Sequence, residues 1–105
     1  MSEIFCVDEH DVEWFDYDQI PGIRVKPLTR GIDTSTDVQY VEYPPDHSDS
    51  VHRHDEGEVF LVTDGELWLD DARYGPGSIL CIPAEIDYAV RSGPQGARYF
   101  RVVIP

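Results

Sequence analysis

The chain has 105 residues, enough for one domain with a single hydrophobic core. It carries 21 Asp and Glu residues against 8 Lys and Arg, and its net charge of −13 argues against binding to nucleic acid or to anionic membrane surfaces. Hydrophobic residues make up 41% and charged residues 28%, a composition that favours a folded globular protein over a disordered one.

Nothing in the sequence predicts export or membrane insertion. No apolar run approaches the roughly 20 residues of a membrane span, and the first residues carry no signal-peptide pattern. The two cysteines, Cys6 and Cys81, are far apart and lack metal-ligand spacing, and a disulfide scaffold usually has more of them. We therefore expect a cytoplasmic protein with reduced thiols, with Cys81 buried in a strand.

The first part of the chain, residues 1–20, is rich in acidic and aromatic side chains. Val12, Trp14 and Asp16 alternate weakly, and no sustained apolar period of 3.6 residues supports a helix. We interpret this segment as an N-terminal arm with a short edge strand. The alternative is a solvated tail.

Short apolar runs punctuated by Gly, Pro and Asp follow along the rest of the chain. The segment 23–28 alternates apolar and basic residues, and the segment 37–43 ends at two prolines, which cannot donate to a ladder. Further strands are predicted at residues 78–82, 87–91 and 97–104, with a loop at 92–96. About eight to ten strands without a convincing helix indicate an all-β barrel or sandwich.

An apolar run that begins at Glu58 is interrupted by Asp64-Gly65, the dipeptide most suited to a type I′ hairpin turn. Such a turn places Val62 opposite Leu67. One face of the predicted hairpin then carries Glu58, Phe60, Val62, Leu67 and Leu69, and the other carries Val59, Leu61 and Trp68. Because both faces are apolar, a second layer is expected, either an arm of the same chain or a partner subunit in a homodimer.

Two histidines and a glutamate lie at the start of this run. His52 and His54 are one residue apart, so on an extended strand both rings leave the same face, and Glu58 follows three residues later. Two imidazoles and a carboxylate are the ligands of non-haem Fe(II) oxygenases, and Zn²⁺, Mn²⁺ and Ni²⁺ accept similar donors. We predict a divalent metal site at these three residues. The alternatives are a chance grouping in a surface loop and a barrel without metal.

The spacing of these residues resembles the first motif of the cupin superfamily. His52, His54, Glu58 and Gly65 fit that motif, and Asp46 stands where its leading glycine belongs. The second motif is matched in part, since Gly77 and Pro83 fit it whereas Glu85 and Tyr88 replace a glycine and a histidine. The segments 21–28 and 74–78 are also similar to those of anti-sigma-factor cupins and small dioxygenase-like cupins.

The resemblance implies that residues 1–105 form a single-domain jelly-roll β-barrel, usually dimeric, with a divalent metal held by three histidines and one glutamate. Tyr88 would occupy the position of the third histidine. A phenol with an ordinary pKa near 10 ligates only when the metal acidifies it. Tyr88 is therefore the candidate catalytic residue, as a donor to metal-bound water or substrate or as a general acid or base. The alternatives are direct ligation of the metal as a phenolate and a tyrosine that packs the barrel wall.

Several other side chains near the predicted site have simpler structural interpretations. His47 lies near the histidine pair, but a loop histidine is more often solvated. Arg98 and Arg101 lie on opposite faces of the last strand, where a surface ion pair is the better interpretation than contact with an anionic substrate. The pocket wall is predicted to consist of Phe60, Leu67, Leu69, Ile79 and Cys81.

The leading hypothesis is a small cupin that binds a divalent metal and acts on a small organic ligand, by dioxygenase, isomerase or lyase chemistry. The sequence is compatible with each of these reaction classes and with a protein that has no catalytic activity. The alternative hypotheses are a non-catalytic module that senses a metal or ligand, and a metal-free barrel.

Overall fold

The computed structural model describes residues 4–105, which form seven strands and one 3₁₀ turn at Glu9–Asp11. The strands are β1 (Phe15–Asp16), β2 (Arg24–Pro27), β3 (Asp37–Tyr43), β4 (Gly57–Leu69), β5 (Ala72–Tyr74), β6 (Ile79–Ile82) and β7 (Val90–Ile104). All pairings are antiparallel, in the order β1-β2-β3-β7-β4-β5, and β6 also pairs with β4. Side chains of β2, β3, β4 and β7 line one cavity, so the sheet curls around its interior.

The all-β prediction is confirmed, and β2, β3 and β6 lie within the predicted segments. Alternating patterns located β2 and β3, and a short run of apolar residues located β6. None of the helices in residues 4–105 is long and apolar enough to span a membrane.

The core lies between β4 and β7, the two longest strands. Phe60 and Val62 of β4 are at most 2% exposed, and Tyr99 of β7 packs on Phe60 with ring centroids 4.6 Å apart. Arg101 shares the face of Tyr99 and Val103, because it is two residues from each. The last strand therefore directs a charged residue into the interior beside apolar ones.

The predicted hairpin at Asp64-Gly65 is wrong. β4 continues through this dipeptide and pairs with β7, with register shifts between Val62 and Asp64 and between Gly65 and Leu67. Gly65 has φ +67°, and a Cβ there would lie 2.1 Å from the carbonyl oxygen of Gly96, so the close approach to β7 requires glycine. A bulge shifts the alternation of side chains between the two faces of a strand, so that residues before and after it can share a face as they would across a two-residue turn. The predicted inward face of Glu58, Phe60, Val62 and Leu67 is therefore buried as expected.

The predicted loop at 92–96 is likewise wrong, because it lies inside β7. Gly96 has φ +77° and is the partner of Gly65 in this close approach. A Gly- and Pro-containing stretch usually marks a loop, but here it forms an irregular part of a long strand opposite the bulge of β4.

The N-terminal arm packs on the outer side of the sheet, and the predicted edge strand is β1. Trp14 stacks on Tyr40 with ring centroids 5.4 Å apart. Its ring also lies 4.9 to 5.3 Å from three cations, those of Arg24, Lys26 and Arg98. Lys26 is 7% exposed and donates a 2.7 Å hydrogen bond to a carbonyl of the 3₁₀ turn. These contacts exclude a solvated tail for this part of the arm.

The outer face of β4 is not covered by the arm, since Leu61 there is 38% exposed. The homodimer that would cover this face stays a prediction. Cys81, predicted to be buried, is exposed and free, as is Cys6. In β6 the residues Leu80 and Ile82 point inward instead, because an apolar run of four residues does not reveal which alternate pair faces the core.

Candidate functional site

A cavity of about 410 Å³ occupies the interior of the curled sheet. Part of its wall is apolar and includes Ile23, Val41, Phe60 and Val90. The polar part of the wall includes His52, His54, Glu58, Tyr88 and Arg101. Leu67 and Leu69 are not among the lining residues, and Ile79 and Cys81 point outward, so the predicted pocket wall is correct for Phe60 alone.

The two histidines enter the cavity from an extended segment that precedes β4. His52 and Tyr88 exchange two main-chain hydrogen bonds of 3.0 and 3.1 Å, and the amide of Glu85 donates to the carbonyl of His54 at 2.9 Å. This pairing keeps the segment extended, so both rings leave the same face, with centroids 5.0 Å apart. The prediction that His52 and His54 share one face is confirmed, since both line the cavity.

One hydrogen bond fixes the proton of the His52 ring. Its Nδ1 lies 3.0 Å from the carbonyl oxygen of Ser50. A carbonyl can only accept, so Nδ1 carries the proton and donates it in the neutral ring. The lone pair of this ring is therefore on Nε2, which is available to a ligand.

Glu58 is the buried charge of the site, with 3% of its surface exposed. Its Oε1 accepts a 2.5 Å hydrogen bond from the Tyr88 hydroxyl, and its Oε2 accepts one from Nε of Arg101. Arg101 also donates from Nη1 to Oε1 of Gln39 at 3.3 Å. Both carboxylate oxygens are thus engaged by protein donors.

The electrostatics of this cluster keep Tyr88 neutral and Arg101 charged. Burial, together with the hydrogen bond to Glu58 and its negative charge, raises the pKa of Tyr88 well above its usual value of 10. Burial lowers the pKa of Arg101, but the adjacent Glu58 carboxylate outweighs it and the net pKa is raised. Tyr88 therefore acts as a hydrogen-bond donor, and the Arg101 guanidinium is a permanent cation.

The fit of this cluster to a metal ion is poor. In residues 4–105, no three His, Cys, Asp or Glu side chains are arranged so that they could hold a metal. His54 Nε2 lies 3.7 Å from Glu58 Oε1, a separation that two ligands of one metal can have, but that oxygen already accepts a hydrogen bond from Tyr88. As they lie, the residues do not fit a three-ligand centre. The assignment of His52, His54 and Glu58 as metal ligands stays a prediction.

A second buried carboxylate lines the cavity, and sequence reasoning missed it. Asp49 accepts a 2.5 Å hydrogen bond from the Tyr43 hydroxyl, and its Oδ1 lies 2.7 Å from Nε2 of His47. The His47 side chain is 17% exposed, so the interpretation of a solvated loop histidine is wrong. Burial is the main cause that raises the pKa of Tyr43. Nothing in the spacing of His47 and Asp49 indicated this contact.

Arg101 is the other residue of the cavity wall for which the sequence-based interpretation is wrong. The surface ion pair predicted for the arginines of the last strand is correct for Arg98, which lies 2.9 Å from Glu42. Arg101 instead pairs with buried Glu58. The available indication was its alternation with Tyr99 and Val103, which places it on the inward face.

The sequence profile of the ChrR cupin-like domain matches residues 2–101. A chain in the crystal structure of Rhodobacter sphaeroides SigE in complex with the anti-sigma ChrR is 20% identical, with a TM-score of 0.77. That match covers 90% of this chain and 50% of the other, so this protein spans half the length of its relative.

Two solved structures whose names describe enzymes also share the fold of this chain. The polyketide cyclase RemF from Streptomyces resistomycificus is 22% identical with a TM-score of 0.78, and the match covers 96% of this chain and 78% of RemF. A putative acetylacetone dioxygenase from Methylibium petroleiphilum PM1 is 14% identical with a TM-score of 0.81, covering 98% and 78% of the two chains. These likenesses confirm the predicted jelly-roll fold. No curated protein matches the sequence significantly.

Proposed function

Because the chain belongs to the family of ChrR cupin-like domains, we propose that it binds a small organic ligand inside its barrel. The observation that carries this proposal is the cavity of about 410 Å³ with polar side chains grouped in part of its wall. Ligand pockets commonly have volumes of roughly 300 to 1,000 Å³, with apolar walls and a few polar groups that orient the ligand. The interior therefore has the size and chemistry of a small-molecule site.

The chemistry of the wall defines the class of ligand. Glu58 and Arg101 neutralise each other, and the carboxylate of Asp49 is already bound by Tyr43 and His47, so the wall favours an uncharged ligand. His52 presents a lone pair at Nε2 that can accept from a hydroxyl, and the apolar wall favours a hydrocarbon or aromatic body. We expect an uncharged molecule with an apolar body and a hydroxyl or carbonyl group.

The side chains themselves support proton transfer. A neutral imidazole at His52 is a suitable general base, and the neutral Tyr88 phenol is a suitable donor to a developing negative charge. Isomerisation or lyase-type chemistry of a hydroxyl- or carbonyl-bearing ligand is the reaction class that these groups fit. A non-catalytic sensor would use the same contacts, and conversion of a bound compound distinguishes the two.

Ring resonances of the histidines test the binding proposal. The chain has four histidines, of which His52 and His54 line the cavity and His10 and His47 do not. Uncharged fragments with a hydroxyl or carbonyl should shift the ring signals of His52 and His54 in NMR spectra and leave those of His10 and His47 in place. A fragment library that shifts none of the four, or shifts all four alike, would contradict the proposal.

A second candidate is the binding of a divalent metal such as Fe, Zn, Mn or Ni by His52, His54 and Glu58. It is favoured by the hydrogen bond from His52 Nδ1 to a main-chain carbonyl, the arrangement that usually orients a metal-ligating histidine. Glu58 would then bind the metal while its Oε1 accepts the hydrogen bond from Tyr88. Stoichiometric metal in the purified protein that is lost in His54→Ala would support this candidate.

A further inference from the structure

The buried carboxylate of Glu58 needs a cation beside it. An isolated buried charge is very unfavourable, and proteins compensate it by pairing or by a metal ion. The cation that contacts Glu58 in this barrel is the guanidinium of Arg101. We propose that Arg101 takes the place of a metal ion as the charge partner of Glu58, so that the site works with an organic ligand and without a divalent metal.

The first support is the geometry of the carboxylate. A metal ion at the predicted centre must bond to an oxygen of Glu58 as well as to His52 and His54. Oε2 is engaged by Arg101, and Oε1 is engaged by Tyr88 and lies 3.7 Å from His54 Nε2. Each oxygen thus already accepts one hydrogen bond, and a metal ion would have to share the carboxylate with these two donors.

The second support is the balance of charge. In a centre of two neutral imidazoles and one carboxylate, the single negative charge offsets part of the charge of the metal. Here the positive charge of Arg101 already offsets that of Glu58, so the cluster is neutral without a metal. A divalent cation placed beside Glu58 would also be repelled by the guanidinium.

The third support is Tyr88, which lies where a further metal-ligating histidine would be expected. Tyr88 lies next to the histidines, 4.6 Å from His52 and 6.0 Å from His54 between ring centroids. Its hydroxyl donates to Glu58, whereas metal sites of this type use His, Cys or carboxylate ligands. Tyr88 and Arg101 together thus satisfy the carboxylate that a metal would otherwise bind. The inference builds on ligand binding in this cavity but concerns the metal alone.

Metal uptake by variants tests this inference without an organic ligand. The purified protein and its variants are dialysed against Zn²⁺, Ni²⁺ or Co²⁺, then against metal-free buffer, and bound metal is measured by elemental analysis. The unchanged protein should retain less than about a tenth of an equivalent. Tyr88→His combined with Arg101→Gln supplies a third imidazole and removes the competing cation, so its uptake should rise at least about tenfold, towards one equivalent.

Matched variants make the result specific. Arg98→Gln removes an arginine of the same strand that pairs with Glu42 on the outer side, and its metal uptake should equal that of the unchanged protein. Adding His54→Ala to the double variant should abolish the gained uptake. The folded state of each variant is checked by circular dichroism.

Two results would overturn the inference. One is an equivalent of metal retained by the unchanged protein and lost in His54→Ala, which needs no other variant to fold. The other is a folded double variant that gains no metal, because Arg101 and Tyr88 would then not be what disfavours it. Neither result bears on the histidine shifts that test ligand binding, so failure of one proposal is distinguishable from failure of the other.

Discussion

Glu58 and Arg101 face each other inside the barrel, with Oε2 of the carboxylate accepting a hydrogen bond from Nε of the guanidinium. Glu58 belongs to β4 and Arg101 to β7, the two strands that carry the core. The pair brings a full negative and a full positive charge into the wall of the cavity, where each depends on the other.

Breaking this pair should destabilise the protein strongly. Arg101→Met leaves Glu58 buried without a cation, and the loss of one partner of a buried pair costs about 3–5 kcal/mol. The free energy of unfolding in urea measures this effect. Adding Glu58→Gln should recover part of the loss, because the uncompensated charge is removed. Arg98→Met is the control on the outer surface and should cost about 1 kcal/mol or less. Equal losses for the two arginine variants would contradict a buried pair.

Tyr88 should contribute through its hydroxyl rather than its ring. Tyr88→Phe keeps the packing and removes the donor to Oε1 of Glu58, which leaves a buried acceptor short of a partner and should cost about 1–3 kcal/mol. Tyr17→Phe removes an exposed hydrogen bond to Gln19 and should cost less than about 0.5 kcal/mol. Urea unfolding of both variants measures the difference. A Tyr88→Phe protein as stable as the unchanged one would show that Glu58 does not need the phenol.

The bulge between β4 and β7 should depend on Gly65. Gly65→Ala requires a side chain at φ +67° and places its Cβ 2.1 Å from a main-chain oxygen of Gly96, so we expect a loss of more than about 2 kcal/mol. Gly31→Ala is the matched control, because Gly31 has φ +81° but no atom within 4 Å of the added Cβ. That variant should lose about 1 kcal/mol from the backbone conformation alone. Thermal unfolding measures the loss of stability in both variants. Equal losses would contradict the close approach between Gly65 and Gly96.

The stabilising effect of Glu42 should disappear in acid. Burial raises its pKa, but the hydrogen bonds and charges of Arg24 and Arg98 outweigh this and lower the pKa below the usual value. A carboxyl whose pKa is lower in the folded state stabilises the fold above its unfolded-state pKa, and the effect is lost as the pH falls through the folded-state pKa. Glu42→Gln should therefore be less stable than the unchanged protein at pH 7, by on the order of 1 kcal/mol.

The same comparison should show no difference once the pH has fallen below the lowered folded-state pKa of Glu42, since the carboxyl is then protonated in the unchanged protein. Urea midpoints at several pH values measure this dependence. A stability difference that stays constant across the acid range would mean that the ion pair is not its source.

The fold was predictable from the sequence because local patterns agree with it. The alternation in β2 and β3 and the spacing of His52, His54 and Glu58 are local features, and each was located correctly. The Asp64-Gly65 dipeptide was misread because a left-handed glycine serves a hairpin turn and a bulge equally well. Whether a turn or a bulge forms at this dipeptide depends on its pairing with β7, about 30 residues further along the chain.

The ion pairs and hydrogen bonds of the site were less predictable, because they too depend on segments that are distant in the sequence. That Arg101 contacts Glu58 and that Asp49 contacts Tyr43 are consequences of tertiary packing between distant segments. Charged residues are rarely buried, so the plain interpretation of Arg101 was a surface ion pair. The alternation of the last strand predicts that Arg101 faces inward, but it does not predict that Glu58 is the partner of Arg101.

A crystal structure of the unchanged protein grown with excess Zn²⁺ is the sharpest test of Arg101 as the charge partner of Glu58. We expect that Arg101 donates to Glu58, that the Tyr88 hydroxyl contacts the same carboxylate, and that no anomalous density lies between His52 and His54. An anomalous peak about 2.0–2.2 Å from both imidazoles and from Glu58, with Arg101 turned away, would contradict it.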